Sequence, residues 1–277
     1  MENKYPKVSI IMGAYNCEET IGEALESIIN QTYRNIEIII CNDCSSDNTL
    51  QVLKRYEEKY SDVIKVLSND NNITLAPTLN KCLKYVTGKY IARQDGDDFS
   101  DLDRIRQQVE FLEENLEYDL VGTNMISFDS NGENGVHKLK NIPNKNDLIK
   151  YGVTFSHATI MMKREVMEEL NGYSSAWYAV QAEDYELWSR FFENGYKGYN
   201  LDRNLYYVRE DIETYKRKNI KRRLRGFVLR FKVHRRLKAS IYTYLYIIKD
   251  IIALFIPRQV FIKYYKYRMS RANSGAN

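Results

Sequence analysis

Short apolar runs alternate with amphipathic stretches through the first hundred residues. The run Val8–Met12 is followed by Gly13, a pattern that predicts a buried strand ending in a turn. Apolar residues then recur at helical spacing between Glu18 and Gln31. The same alternation predicts strands at 36–41, 63–67 and 90–92 and helices at 49–60 and 77–85. Alternating strands and helices imply right-handed crossovers and a mostly parallel sheet, which is an α/β fold.

Polar loops follow three of the predicted strands. These loops are Gly13–Asn16, Asn42–Asp47 and Asp95–Asp98. In a parallel sheet the carboxyl ends of the strands lie along one edge, and ligands bind there. We therefore expect the three loops to meet and to form a binding site.

The third loop concentrates negative charge. Asp95, Asp97 and Asp98 lie close together in the chain, and Gly96 would allow a sharp turn that directs neighbouring carboxylates toward one point. Such carboxylates repel one another unless a cation lies among them. Mg²⁺ and Mn²⁺ prefer oxygen ligands and commonly share their coordination shell with substrate phosphates. The loop therefore predicts a divalent metal site; the alternative is a solvated acidic turn that caps a helix starting near Ser100.

The pattern is less regular beyond residue 100. We predict helices at 101–114, 164–170 and 182–194, strands at 120–122 and 154–162, and a polar loop at 129–146. Asn171-Gly172 and Gly195 are typical of the residues that end helices.

Charge is distributed unevenly along the 277 residues, a length that suits one large domain or one domain with an appendage. Residues 216–271 contain 18 Lys and Arg and one acidic residue, a net charge of +17. Because the whole chain carries +4, the remainder carries −13. An acidic body with a basic tail indicates two different environments.

The tail combines this charge with apolar sequence. Arginines and lysines alternate with Leu, Phe and Val over 222–238, and 241–256 is almost wholly apolar up to Pro257. This run is short for a membrane span, which needs about 20 apolar residues. It favours a helix in the headgroup region of an anionic membrane, held there through residues 216–271. Its apolar face would comprise Ile247, Ile248, Ile251, Leu254 and Phe255.

Two other interpretations of the tail stay open, since a helical pair packed on the rest of the protein or a dimer interface would have the same composition. Nucleic-acid binding is not expected. Met1–Pro6 contains no apolar segment of a signal peptide, and four cysteines without a zinc or disulfide pattern suit a reducing compartment. We therefore expect a cytoplasmic protein, peripheral at the inner face of the cell membrane.

Four motifs together resemble family 2 glycosyltransferases of the bacterial surface-polysaccharide type. They are Val8–Asn16, Asn42–Asp47, Gly88–Asp98 and Glu183–Arg190, and their order and spacing agree with the family over residues 6–210. The resemblance implies a Rossmann-like GT-A fold, a nucleotide-sugar donor such as a UDP-sugar, Mn²⁺ or Mg²⁺, and inversion at the anomeric carbon. The acceptor would be a glycan or a lipid-linked sugar.

The resemblance also implies a division of the chain. Residues 1–215 would form the catalytic domain, with a nucleotide-sugar half at about 1–100 and an acceptor half at about 101–215. Residues 216–277 would form the helical, basic and aromatic tail.

Roles in donor binding follow from the matched motifs. Asp97 would be the main metal ligand, assisted by Asp98, with Asp95 on the metal or the ribose. Asp43 would bind the donor base, and Arg93 would neutralise phosphate or pair with a carboxylate. The residues expected around the nucleotide sugar are Ala14, Tyr15, Asn16, Asp43, Arg93, Asp95 and Arg209. The chain departs from the family at Gly13, Asn42, Cys44 and Thr74, and it lacks the histidine that often follows the position of Arg209.

Roles on the acceptor side are implied in the same way. Asp184 would be the general base that takes the proton of the acceptor hydroxyl, with Glu183 secondary. His157 would contact phosphate or acceptor, and Trp188 would form a wall of the acceptor site. Each has a structural alternative: a helix cap for Asp184, and packing for His157 and Trp188.

Two competing functions remain at this point. Nucleotidyl transfer on a related sheet would need a lysine-rich glycine loop near the N-terminus, which Gly13–Asn16 lacks. A catalytically inactive scaffold that binds sugar nucleotide or lipid would not need both Asp97 and Asp184.

Overall fold

A parallel sheet forms the first half of the protein. The computed structural model describes residues 6–130, 132–210 and 220–247. The strands are β1 (Val8–Ala14), β2 (Ile36–Asn42), β3 (Ile64–Ser68) and β4 (Tyr90–Asp95), in the spatial order β3-β2-β1-β4. The helices α1 (Ile21–Ile29), α2 (Thr49–Lys59) and α3 (Leu75–Leu83) connect them. Each predicted element of this half is present, with boundaries shifted by a few residues.

The second half extends the same sheet with mixed strand directions. Its strands are β5 (Phe99–Ser100), β6 (Leu120–Asp129), β7 (Gly132–His137), β8 (Met161–Lys163) and β9 (Gly198–Arg209). β8 is antiparallel to both β4 and β6, β9 runs parallel to β6, and β5 is antiparallel to β9. The resulting sheet has the order β3-β2-β1-β4-β8-β6-β9-β5, and β7 pairs with β6.

Several predictions for the second half were wrong in type or extent. The predicted strand at 154–162 begins instead with a 3-10 helix, His157–Thr159, before the short strand β8. The predicted loop at 129–146 contains β7, and β9 was not predicted. The helix expected from residue 101 starts at Arg104 because Phe99 and Ser100 pair with β9. These elements depend on partners distant in sequence, so local periodicity carries little signal for them.

The remaining helices cover the sheet. They are α4 (Arg104–Glu114), α5 (Lys145–Tyr151), α6 (Arg164–Glu169), α7 (Glu183–Glu193) and α8 (Ile220–Arg236), followed by a 3-10 helix, Ile241–Tyr244. Successive residues of β1 point to opposite faces of the sheet: Ile10 and Met12 belong to one hydrophobic core, and Ile11 belongs to the other. The sheet is therefore buried on both faces between two helical layers.

The described part of the basic tail packs on the body. Leu229, Val233 and Leu237 belong to the hydrophobic core that also contains α7. Arg236 donates to the buried Glu186 carboxylate at 2.8 Å and to Ser189 Oγ at 2.6 Å. Removing Arg236 would leave the buried Glu186 carboxylate with less positive charge and fewer hydrogen bonds to stabilise it. Packing on the body, one of the alternatives left open by the sequence, therefore describes α8.

This packing corrects one detail of the predicted membrane face. Ile247 is 3% exposed and belongs to the interior. The other four residues predicted for that face, and the boundary between 215 and 216, lie outside the described residues. Among the helices of the described ranges, none is long and apolar enough to cross a membrane.

Candidate active site

A buried amide organises the acidic turn that follows β4. The Gln94 side chain donates to the backbone oxygens of Asp95 at 3.1 Å and Asp98 at 3.0 Å. It also accepts from Ser100 Oγ at 2.7 Å. Because these groups lie on both sides of the turn, Gln94 holds its backbone in one conformation.

Gly96 has a different role from the one predicted. Its φ does not lie in the left-handed region, so the turn itself does not require glycine. A Cβ at this position would lie 3.1 Å from Ile21 Cδ1 and 3.2 Å from Cys17 Sγ. Glycine therefore lets the acidic turn approach the start of α1 closely.

The three carboxylates of the turn have different surroundings. Asp95 pairs with the buried guanidinium of Arg93. Asp98 is buried and accepts from the Arg209 backbone N–H at 2.8 Å. Burial, with the charges of Asp95 and Asp97, raises the pKa of Asp98 to about 8. Asp97 is the exposed member, yet the surrounding protein and the charge of Asp95 also raise its pKa.

These residues fit a divalent cation that is shared with a ligand. Within the described ranges, no group of three or more His, Cys, Asp or Glu is arranged to hold a metal unaided. Asp97 would contribute a carboxylate, and donor phosphates would supply further oxygens, as Mg²⁺ commonly requires. A cation beside Asp97 would also offset the repulsion that raises the carboxylate pKa values.

The turn opens into a cleft of about 630 Å³. Four of the predicted donor residues other than Asp97 line it: Tyr15, Asn16, Asp95 and Arg209. Arg209 reaches across the cleft, since its guanidinium donates to the Asp97 backbone oxygen at 3.1 Å and pairs with Glu23 at 2.6 Å. Further lining residues that the sequence did not single out are Cys17, Glu18, Glu19, Thr20, Asp47 and Leu75.

Asn16 joins the first two polar loops. It has a φ of 48°, and its side-chain oxygen accepts from the Ser46 N–H at 2.9 Å. Ala14 joins the end of β1 to the loop after β2, because its backbone oxygen accepts from the Asp43 N–H at 2.8 Å. The Ala14 side chain is itself buried and is not among the groups that line the cleft.

Asp43 holds the loop in front of α3. One carboxylate oxygen accepts from the Ile73 N–H at 2.9 Å and from Asn69 Nδ2 at 2.8 Å. The other accepts from the N–H of Thr74, a residue with a φ of 73°, at 3.0 Å. An ionised carboxylate has about four acceptor positions, so about one remains for a ligand. Asp43 therefore holds the loop before α3, next to the cleft-lining Leu75, whether or not it contacts a ligand.

Glu183 and Asp184 form the first turn of α7. Burial raises the pKa of both carboxyls, and the charge of Asp184 raises that of Glu183 further. The charges of Arg93 and Asp95 act on Glu183, which places this turn near the acidic turn after β4. Asp184 also accepts from the Tyr185 N–H at 2.7 Å, and the charge of Arg222 opposes the rise in its pKa.

Asp184 borders a second cavity of about 430 Å³. Helix α8 forms one wall of this cavity through Arg222, Gly226 and Arg230, and the loop after α5 forms another through Gly152 and Val153. The acidic turn thus lines the first cleft, and Asp184 lines the second cavity.

Comparison with known proteins identifies the family of this chain. Residues 9–170 match the model of the family described as Glycosyl transferase family 2. This match covers more than half of the chain. The chain belongs to glycosyltransferase family 2.

Individual relatives support the assignment. The chain is 45% identical to EpsE of Bacillus subtilis (strain 168) over 273 residues, 99% of this chain and 98% of that protein. Another relative is the Escherichia coli UDP-Glc:alpha-D-GlcNAc-diphosphoundecaprenol beta-1,3-glucosyltransferase WfaP. This chain is 29% identical to it over 197 residues, which are 70% of this chain and 74% of WfaP. S. aureus TarS, in a crystal structure with UDP-GlcNAc, superposes with a TM-score of 0.67 at 20% identity, covering 83% of this chain and 70% of that chain. The GT-A fold and the glycosyltransferase class are therefore confirmed.

Of two residues predicted on the acceptor side of this glycosyltransferase, Trp188 is packed inside the protein and His157 is half-buried. Trp188 is 1% exposed, and its ring lies edge-on to Phe155 at a centroid distance of 5.4 Å. It is a core residue, and the prediction that it lines the acceptor site was wrong. His157 Nε2 shares a hydrogen bond with the Tyr173 hydroxyl at 2.9 Å. Burial and the charge of Arg93 hold the pKa of His157 well below its usual range, so its imidazole is neutral.

Three residues that support the site gave no local signal in the sequence. The buried Tyr206 of β9 accepts from the Asp95 N–H at 3.1 Å through its hydroxyl oxygen. Arg104 lies over the Tyr206 ring, with 5.3 Å between its guanidinium carbon and the ring centroid, and donates to the Arg93 backbone oxygen at 3.0 Å. Tyr173 orients His157. The acidic turn thus rests on strands and helices that follow it in the chain.

Proposed function

We propose that this glycosyltransferase transfers a sugar from a UDP-sugar to a hydroxyl of a lipid-linked acceptor, with inversion at the anomeric carbon. The donor binds in the cleft beside Asp97, and the acceptor enters the second cavity beside Asp184. The named substrates of WfaP and the UDP-GlcNAc bound to TarS support a UDP-sugar donor. The diphosphoundecaprenol acceptor named for WfaP supports the lipid link.

The observation that carries the proposal is the position of Asp184. It borders the second cavity. The charges of Arg93 and Asp95, on the donor side, influence the pKa of the neighbouring Glu183. In a single displacement the acceptor oxygen attacks the anomeric carbon as the bond to the leaving UDP oxygen breaks. Asp184 takes the proton of that hydroxyl during the attack. Burial raises its pKa, and a stronger base accepts a proton more readily near neutral pH.

The donor side stabilises the leaving group. When bound, a divalent cation would neutralise charge on the diphosphate. Asp97 presents its carboxylate toward that position, while Gln94 and Arg93 hold the turn that carries it. Arg209 lines the same cleft and adds a positive charge beside the turn.

We also propose that the outer face of α8 and the following segment bind an anionic membrane. The exposed apolar residues of this surface are Leu224, Phe231, Ile241, Tyr242 and Leu245, at 42–78% exposure. Exposed basic residues lie among them: Lys221, Lys232, Arg235 and Lys238. Apolar side chains bordered by lysine and arginine suit the headgroup region, where each basic residue contributes roughly 1 kcal/mol with anionic lipid.

Asp184→Asn tests the catalytic assignment. The amide keeps the shape of the side chain but accepts no proton, so turnover should fall about 10²-fold or more. UDP affinity should be unchanged. A carboxyl whose pKa is raised by folding favours the folded state at low pH and loses that contribution as pH rises through its folded pKa. The variant should therefore melt no lower than the wild-type protein at neutral pH.

Glu183→Gln is the matched control, because it removes the neighbouring carboxylate of the same helical turn and should leave a much larger share of turnover. An Asp184→Asn protein with near wild-type turnover would show that another group is the base.

A further inference from the structure

The inward face of α8 changes character along its length. In its C-terminal half, Val233 and Leu237 pack in the core. In its N-terminal half, the same face lines the second cavity with Arg222, Gly226 and Arg230, spaced at i, i+4 and i+8. Two cationic side chains therefore face a cavity at positions where continued packing would need apolar residues.

Gly226 is unexplained by packing or by backbone conformation. It lies inside a helix, where glycine is less favourable than alanine, and its φ is not in the left-handed region. A Cβ at this position would have no heavy atom within 4 Å. The open space in front of Gly226 belongs to the cavity, so the glycine leaves room for a group to approach the helix between the two arginines.

The spacing of the arginines suits one small dianionic group. Eight residues of helix separate their Cα atoms by about 12 Å, and two extended arginine side chains can converge across that distance. Guanidinium groups bind phosphate oxygens through paired hydrogen bonds. The lining also includes apolar side chains, among them Phe227 of α8 and Val153, which suit the first carbons of a lipid.

We propose that this cavity binds the diphosphate of a lipid-linked acceptor, with Arg222 and Arg230 contacting the phosphates in front of Gly226. The inference rests on the proposed function, because it assigns the acceptor class to the cavity that Asp184 borders. Since Arg222 also acts on the charge of Asp184, the diphosphate and the base lie close together.

The test uses the full chain in detergent and farnesyl diphosphate as the probe, measured by calorimetry with UDP and Mn²⁺ at saturation. Saturating UDP removes binding in the donor cleft from the measurement. Farnesyl diphosphate should bind, whereas farnesol and inorganic pyrophosphate should bind more weakly. Arg222→Gln and Arg230→Gln should each weaken probe binding about tenfold, because charge-assisted hydrogen bonds to phosphate are lost. UDP affinity should stay unchanged.

Gly226 supplies a test that removes no charge. Gly226→Leu should fill the cavity and abolish probe binding, whereas Gly226→Ala should retain it. Arg225→Gln is the control for general electrostatic attraction and should leave probe binding unchanged, since Arg225 does not line the cavity.

Specific outcomes would overturn the inference. The wild-type protein would fail to bind farnesyl diphosphate at saturating UDP, or Arg225→Gln would weaken probe binding as much as Arg222→Gln and Arg230→Gln do. Full probe binding by Gly226→Leu would equally contradict it. The proposed function is tested separately, by measuring UDP binding and the turnover of Asp184→Asn. A protein that binds UDP but not the probe would contradict the acceptor site alone.

Discussion

The two halves of this glycosyltransferase build their binding sites in opposite ways. The donor half places its groups on loops that directly follow β1, β2 and β4, within the first hundred residues. The second cavity is assembled from the loop after α5, the start of α7 and the inward face of α8 in the tail, which are distant in sequence. The first site follows from sheet topology, and the second depends on how helices pack.

The electrostatics of the two sites differ as much as their construction. The first cleft presents mostly carboxylates, so the diphosphate that we propose there would need a cation between. The second cavity presents arginines, which bind a diphosphate directly. On these proposals, one protein recognises two diphosphates by two mechanisms, and metal dependence distinguishes them.

The largest expected effect is on the donor side. Asp97→Ala should lower transfer about 10²-fold or more, because the charge on the leaving diphosphate loses its counter-ion. UDP affinity in this variant should no longer respond to Mn²⁺, as measured by calorimetry with and without the metal. Farnesyl diphosphate binding should persist, which would confirm that only one of the two sites needs the cation.

Glu19→Ala is the control for this prediction, since Glu19 lines the same cleft outside the acidic turn. It should retain Mn²⁺-dependent UDP binding. If Asp97→Ala keeps that dependence too, the metal is held elsewhere.

A smaller effect is expected on membrane binding, which we assign to the outer face of α8 and the segment that follows it. Leu224→Ser with Phe231→Ser should weaken sedimentation with vesicles of equal parts phosphatidylcholine and phosphatidylglycerol by about tenfold or more, because apolar burial is lost. Salt should weaken the wild-type interaction only in part, since it screens the basic residues and not the apolar ones. UDP affinity should not change.

Point substitutions are used here because α8 contributes to the core, so truncation would disturb folding. Leu116→Ser is the matched control, as Leu116 is 69% exposed and lies away from α8 in the chain. Equal loss of sedimentation in this control would contradict a membrane surface at α8.

The smallest effect is expected at His157, in the 3-10 helix before β8. The folded protein keeps this imidazole neutral, whereas the unfolded chain protonates it below about pH 6.5. The stability that results is complete above that pH and is lost as pH falls toward the lower folded pKa. The wild-type melting temperature should therefore drop more than that of His157→Gln between about pH 7.5 and about pH 5.5, with a difference of about 3 °C.

His137→Gln provides the same substitution at an exposed histidine whose side chain is 44% accessible. It should lose stability with acid as the wild-type protein does. Parallel melting curves for wild type and His157→Gln would rule out His157 as the source of the acid sensitivity.

The amino-acid sequence determined the donor half almost completely. Residues 6–100 alternate apolar runs with amphipathic stretches, and a parallel sheet brings the ends of such strands to one edge. The polar loops carrying Asn16 and Asp95–Asp98 therefore had to meet, and the structure places both in one cleft. Order and spacing of four motifs were sufficient to identify the family.

Tertiary structure decided what each polar group does. Asp97 and Asp98 are adjacent in the chain, but Asp98 is buried against β9 while Asp97 faces the cleft. Trp188 shares a helix with Asp184 and was predicted on the acceptor wall, but the neighbouring Phe155 and Phe191 enclose it. Burial depends on partners that approach from distant parts of the chain, and periodicity along one segment contains no information about them.

The acceptor half shows the same limit at the scale of whole elements. The basic and apolar composition of 216–271 predicted contact with a membrane, which stays a prediction. Composition could not distinguish the outer face of α8 from the inner one, which packs on α7 and lines the second cavity. Only the docked helix brings Arg222 to the cavity that Asp184 also lines, because packing joins positions that are 38 residues apart in the chain.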